Sequence, residues 1–145
     1  MIVAYKDRMV FKGECDGLVY YWNRKVGKMI ARRYVVPKAS SANRKLGAIS
    51  KHLKSLELSP SYIEDMKIYV ALYSQKQRDK CFLSWRNAFL TMMFKLAKTN
   101  SQVDLNTINR EQIETEQLPC VSVKQAVEAG LLPLVDGYET LTNTL

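Results

Sequence analysis

Gly17-Leu-Val-Tyr-Tyr-Trp-Asn23 and, beyond a polar break containing Gly27, Lys28-Met-Ile-Ala-Arg-Arg-Tyr-Val-Val36 decide the fold. Both runs are rich in β-branched and aromatic residues, which suit a pleated, half-buried surface, and together they read as an antiparallel hairpin whose tip carries Arg24 and Lys25. Val3–Tyr5 and Met9–Phe11 are candidate short strands beside it, since a two-stranded hairpin alone is only marginally stable. Pro37 has no N–H to donate to a ladder, so the sheet is expected to end there.

C-terminal to the hairpin the hydrophobic period changes from two to about 3.6. Leu46, Ile49, Leu53 and Leu56 fall on one face of a helix starting near Ser41, with Arg44, Lys45, Lys51 and Lys54 largely elsewhere. A second helix is announced by Ser59-Pro60, or by the Ser61–Glu64 capping box, with Ile63, Met66, Val70 and Tyr73 as its buried stripe. The third, Phe82–Lys98, carries Trp85, Phe89, Met92, Met93 and Leu96 and is the most apolar segment of the chain. Shorter helices are expected at Thr107–Glu116 and at Val123–Ala129, the latter between a Ser122 cap and Gly130. Leu131–Leu145 is apolar but broken by Pro133 and Gly137, and reads as an arm.

The expected class is therefore α+β: an N-terminal antiparallel β-hairpin or small sheet, a three-helix core, and an extended C-terminal arm. The predicted core is Leu53, Ile63, Val70, Trp85, Phe89 and Met92. Residues 1–100 read as a single α+β domain, β-rich over 1–37 and helical over 41–98. Residues 101–145 add short helices and the arm, within the same domain or as a subunit contact.

Composition narrows the function. With 145 residues, 47% hydrophobic and 25% charged, the chain is of globular type and long enough to bury one core. Its longer apolar runs, such as Phe89–Phe94, which is interrupted by Thr91 and ends at Lys95, fall far short of the roughly 20 residues of a membrane span, so no membrane partner is expected. Met1–Arg8 lacks the long apolar stretch and small-residue cleavage site of a signal peptide. Cys15, Cys81 and Cys120 are odd in number and widely spaced, which argues against a disulfide framework and for a reducing compartment such as the cytoplasm.

Residues spaced for catalysis or metal binding are few. His52 is the only histidine, which removes histidine-paired catalysis and multi-histidine metal sites. Glu64 and Asp65 are helix neighbours about 100° apart and read as first-turn acids favouring the helix dipole. Glu111, Glu114 and Glu116 read as a solvated face, and the glycines match neither phosphate-binding pattern. Cys81, opening an apolar helix, is better explained as a small hydrophobe than as a lowered-pKa nucleophile. The expectation is a non-enzyme without metal or cofactor.

What remains is a contact surface. Tyr20, Tyr21, Trp22 and Tyr34 are interleaved with Arg24, Lys25, Lys28, Arg32 and Arg33, with Arg44 and Lys45 following on the first helix. Such a set can stack on bases and neutralise phosphates, and Tyr, Trp and Arg are also the residues that dominate protein interfaces. The plainer alternative is that alternate aromatics cover the helices while the cations face water. Charge is unevenly spread: Met1–Leu58 carries 13 Lys and Arg against 4 Asp and Glu, Ser59–Asn100 7 against 3, and Ser101–Leu145 2 against 7. A basic front and an acidic rear are complementary ends, suited to a head-to-tail subunit contact or to closure within one chain.

Gly17-Leu-Val-Tyr-Tyr, then Gly27-Lys-Met-Ile-Ala-Arg-Arg33 and a proline, resembles the opening of a group of small bacteriophage and prophage proteins. In that group a Gly-x-Val-x-Tyr, Gly-Lys, Arg-Arg hairpin precedes a basic linker and a helical segment with a tryptophan. Trp85 in Leu83-Ser-Trp-Arg-Asn-Ala88 stands at the tryptophan, and Ala39-Ser-Ser-Ala-Asn-Arg44 at the linker, without its proline. The likeness covers about the first two thirds of the chain. It implies a virion-associated structural or assembly subunit, partnered by its own copies or by other virion proteins, with no catalytic residues to carry over. Nucleic acid, held by the basic aromatic hairpin, is the alternative partner.

Overall fold

The computed structural model describes residues 2–5, 12–23, 27–36, 38–77 and 81–145, the strand over 2–5 by its backbone alone. Strands β1 (Ile2–Tyr5), β2 (Gly13–Cys15), β3 (Leu18–Asn23) and β4 (Lys28–Arg33) form an antiparallel sheet in the order β1-β4-β3-β2. The expected hairpin is β3–β4, paired from Leu18↔Arg33 to Asn23↔Lys28, and it is widened on both sides. β1 pairs with β4 in the register Ile2↔Arg32 to Tyr5↔Met29. β2 follows from a turn the hydrophobic pattern does not announce. Asp16 and Gly17 both have positive φ, at 51° and 70°, as a two-residue primed turn requires, and they bring Cys15 opposite Leu18. The candidate strand Met9–Phe11, the hairpin tip and Pro37 lie outside the described residues. β4 ends at Arg33, and Tyr34–Val36 continue without strand pairing.

The chain divides into two compact units, Met1–Ser40 and Ser41–Leu145. The second contains helices α1 (Ser41–Lys54), α2 (Pro60–Lys76), α3 (Trp85–Thr99), α4 (Arg110–Thr115) and α5 (Val123–Glu128), and a 3₁₀ turn at Tyr138–Thr140. Its core is drawn from residues 53–145, so α2, α3 and the C-terminal third close on one another.

Local chemistry sets each helix boundary. Of the two candidate caps on α2 it is Ser59 that acts: its hydroxyl accepts from the Tyr62 N–H at 3.2 Å, with Pro60 at the first helical position. Ser84, Asn109 and Ser122 cap α3, α4 and α5 in the same way, so α3 starts at Trp85 rather than Phe82, and Cys81 precedes it. α5 ends in a Schellman arrangement, with Gly130 N–H to Val127 O at 3.0 Å and Leu131 N–H to Ala126 O at 2.9 Å. Gly130, at φ 72°, takes the left-handed position that glycine occupies without steric cost, and this turn sends Leu131 and Leu132 into the core.

Two expectations about α1 and α2 are corrected. Leu53 and Leu56 are buried, but Leu46 is 50% exposed, so only the C-terminal part of α1 packs. On α2 the buried line is Tyr62, Asp65, Met66, Tyr69 and Tyr73, with Ile63 and Val70 only partly buried. The helix is rotated toward its tyrosines because their hydroxyls reach main-chain acceptors: Tyr62 Oη donates to Cys120 O at 3.0 Å and Tyr69 Oη to Pro133 O at 2.8 Å. Asp65 is likewise no first-turn surface acid. It is 5% exposed and accepts from the Asn143 N–H and the Asn143 side-chain amide, at 3.0 and 2.9 Å. Trp85 packs against the core but is partly exposed, whereas Phe89 and Met92 are buried as expected.

The expected extended arm is the largest correction. Leu131, Leu132, Val135, Leu141 and Leu145 are all buried in the core of the helical unit. Polar ties hold the segment as well: Ser59 Oγ donates to Thr144 O at 2.7 Å, Leu145 N–H to Val121 O at 3.1 Å, and the Arg110 guanidinium to the main-chain oxygen of Leu145. Pro133 and Gly137 break regular structure without freeing the segment, because its apolar side chains are spaced to fill the gap beside α2 and α5.

Burial of phenols and a thiol in this core fixes a pH response. Burial pushes the Tyr62 and Tyr69 hydroxyls well above the ordinary phenol value and the Cys120 thiol up to about 12. A group whose pKa is raised on folding stabilises fully below its unfolded value, and that contribution is lost as pH climbs toward its folded value. The melting temperature should therefore hold up to about pH 9 and fall steadily above pH 10. Tyr62→Phe should flatten that alkaline fall, as read from melting curves at stepped pH; an unchanged slope would show that Tyr62 does not carry it.

Candidate interaction surface

Register divides the hairpin residues between two faces. Residues directly opposite in an antiparallel pair project to the same side, so Leu18, Tyr20 and Trp22 share a face with Arg33, Ala31 and Met29. Met29 and Ala31 are buried, making this the covered face. Val19, Tyr21 and Asn23 share the other face with Arg32, Ile30 and Lys28.

The predicted contact residues are consequently not one patch. Tyr20 and Trp22 are half-buried on the covered face, with Arg33 exposed at its end. Lys28 and Arg32 are exposed on the opposite face, and the aromatic ring beside them is Tyr21, with the Arg32 guanidinium 5.5 Å from the ring centroid. Tyr34 is exposed just past β4, its N–H bonded to Gly17 O at 2.8 Å, and Val35 and Val36 after it are more exposed still. Arg44 and Lys45 are exposed on the first turns of α1, a helix that contains no acidic residue. Arg24 and Lys25 lie outside the described residues.

The remaining candidates have structural explanations. His52 Nε2 donates to Ile108 O at 2.8 Å, tying the end of α1 to the segment before α4. Glu64 pairs with Lys67 at 2.9 Å, and Glu114 with Arg110 at 2.7 Å. None of the three cysteines is in a disulfide; the Asp16 carboxylate beside Cys15 holds that thiol above its ordinary value. Among the described residues no cluster of His, Cys, Asp and Glu could hold a metal ion, and no helix is long and apolar enough to cross a membrane.

One feature of the helical unit escaped the sequence reading. A cleft of about 240 Å³ opens between the end of α1, the start of α2 and the first turns of α3. Leu53, Ile63 and Phe89 line its apolar interior; Lys54, Glu57 and Arg86 are its exposed charged residues, Arg86 stacked 5.4 Å from the Trp85 ring centroid. These residues come from three separate helices, so no local pattern brings them together. Comparison with family models, with curated proteins and with solved structures returns no match.

Proposed function

We propose that this protein is a non-catalytic structural or assembly subunit of a bacteriophage-type particle, and that the sheet unit is its contact module. The observation that carries this reading is the state of the 40-residue unit. Its described buried hydrophobics are Met29 and Ala31, while Tyr21 remains exposed on the face that carries Lys28 and Arg32, and Tyr34, Val35 and Val36 remain exposed past Arg33. A sheet this small rarely supplies its own core, and exposed apolar groups rimmed by cations are what subunit contacts use. The resemblance of the hairpin to phage proteins supplies the particle setting. The expected location is the virion, after synthesis in the cytoplasm.

Light scattering on nuclease-treated full-length protein, at low and at high salt, tests the reading. A discrete assembly is expected at both salts, and Tyr21→Ala with Arg32→Glu should weaken it about 10- to 100-fold, the effect of losing an interface anchor. A monomer at both salts would overturn it. Nucleic acid recovered before nuclease treatment would then favour the second reading, a nucleic-acid binder, which rests on the acid-free, exposed start of α1. In that case Arg44→Ala and Lys45→Ala should each lower the salt slope of binding by about 0.9 per lost phosphate contact.

A further inference from the structure

We infer that the helical unit carries a second, head-to-tail contact in which Leu134 of one copy enters the α1–α2–α3 cleft of the next. This rests on the assembly reading and names the partner as another copy of the chain. Leu134 is 62% exposed, yet it is firmly held: Leu132 and Val135 on either side are buried, and the Pro133 carbonyl receives the Tyr69 hydroxyl at 2.8 Å. A large apolar side chain fixed in water on a rigid mount is a ready anchor, since little conformational freedom remains to be lost on docking. The cleft, about 240 Å³ and lined by Leu53, Ile63 and Phe89, has room for an apolar side chain.

Charge agrees with this pairing. Exposed Asp136 and Glu139 follow Leu134, with Lys76 4.0 Å from Asp136 as the local cation. The cleft bears Lys54 and Arg86 against Glu57. Knob and cleft thus carry opposite net charge, which favours this register over knob-to-knob or cleft-to-cleft contact.

Within one molecule the two features lie apart: Leu134 does not line its own cleft. Ile63 lies in the cleft near the start of α2, whereas the segment after Leu134 sits beside Leu72 and Lys76 near its end, about 14–20 Å further along the helix. A contact between different surfaces of identical copies is heterologous, and it repeats to give a ring or a filament.

The test uses two full-length variants. Leu134→Asp spoils the knob and leaves the cleft; Ser50→Trp fills the cleft and leaves the knob. Each should keep the wild-type circular dichroism spectrum and assemble at least about 10-fold more weakly by sedimentation velocity. Their 1:1 mixture should restore a single knob-in-cleft contact and sediment faster than either alone. Variants that assemble like the wild type, or a mixture no larger than its components, would overturn the inference and leave the assembly reading standing. A wild-type monomer would overturn both.

Discussion

Removal of residues 131–145 is expected to unfold the helical unit. An arm could be cut away and leave the helices intact, but this segment places Leu131, Leu132, Val135, Leu141 and Leu145 in the core. Shortening one such leucine to alanine costs about 2–5 kcal/mol, and whole domains are stable by only about 5–15 kcal/mol, so losing five at once exceeds what the unit can absorb. The cut would also strip the buried Asp65 carboxylate of its Asn143 donors and the Tyr69 hydroxyl of its acceptor, Pro133 O. A chain ending at Gly130 should show no cooperative thermal transition and should bind a hydrophobic dye. Leu132→Ala in the full-length chain should melt cooperatively at a lower temperature. A truncated chain melting within a few degrees of the full one would show that the segment is dispensable.

The α+β class was legible, because the change from β-branched and aromatic runs to a 3.6-residue period at Ser41 reports backbone geometry directly. Helix starts were legible at Ser59 and Ser122, but not at Ser84, where the apolar Phe82 and Leu83 ahead of the cap extend the helical pattern past the true start at Trp85. The Asp16-Gly17 turn was legible in principle, since Asp-Gly is a strong short-range hairpin signal; the weak, three-residue β2 hid it. The docked C-terminus was not, because its apolar residues follow no single period and bind a surface assembled from distant helices. A Pro- and Gly-broken apolar segment looks the same whether it is free or packed.

The contact surface shows the same division between local and long-range information. Composition finds aromatic and basic residues together, but only register says which share a side. Shifting β4 by one residue would exchange Arg32 for Arg33 beside Tyr21. The cleft depends on three helices meeting, so its residues carry no motif. What charge counting could detect was the acid-poor front and the acid-rich rear, and both reappear as surfaces: the start of α1 for the one, Asp136 and Glu139 for the other.

Asp65→Ala should be the most damaging single substitution of a charged residue in the helical unit, lowering stability by about 3 kcal/mol. A carboxylate held at 5% exposure is costly unless its oxygens are satisfied, and here each oxygen accepts from Asn143, one from the backbone and one from the side chain. Hydrogen bonds to a charged group contribute about 1.5–3 kcal/mol each. Their partner is exposed, so water can replace part of what Asn143 loses, which places the expected cost near the lower sum. Asn143→Ala removes only the side-chain bond and leaves the backbone N–H in place, so it should cost about 1 kcal/mol. Asp65→Asn keeps the shape but sets an amide donor against a donor, and should fall between the two. Chemical denaturation of the three variants measures the order directly, and with the double variant it yields the coupling between the two side chains. Equal costs for Asp65→Ala and Asn143→Ala would mean that the backbone bond contributes nothing, and that Asp65 holds the C-terminal segment through the Asn143 side chain alone.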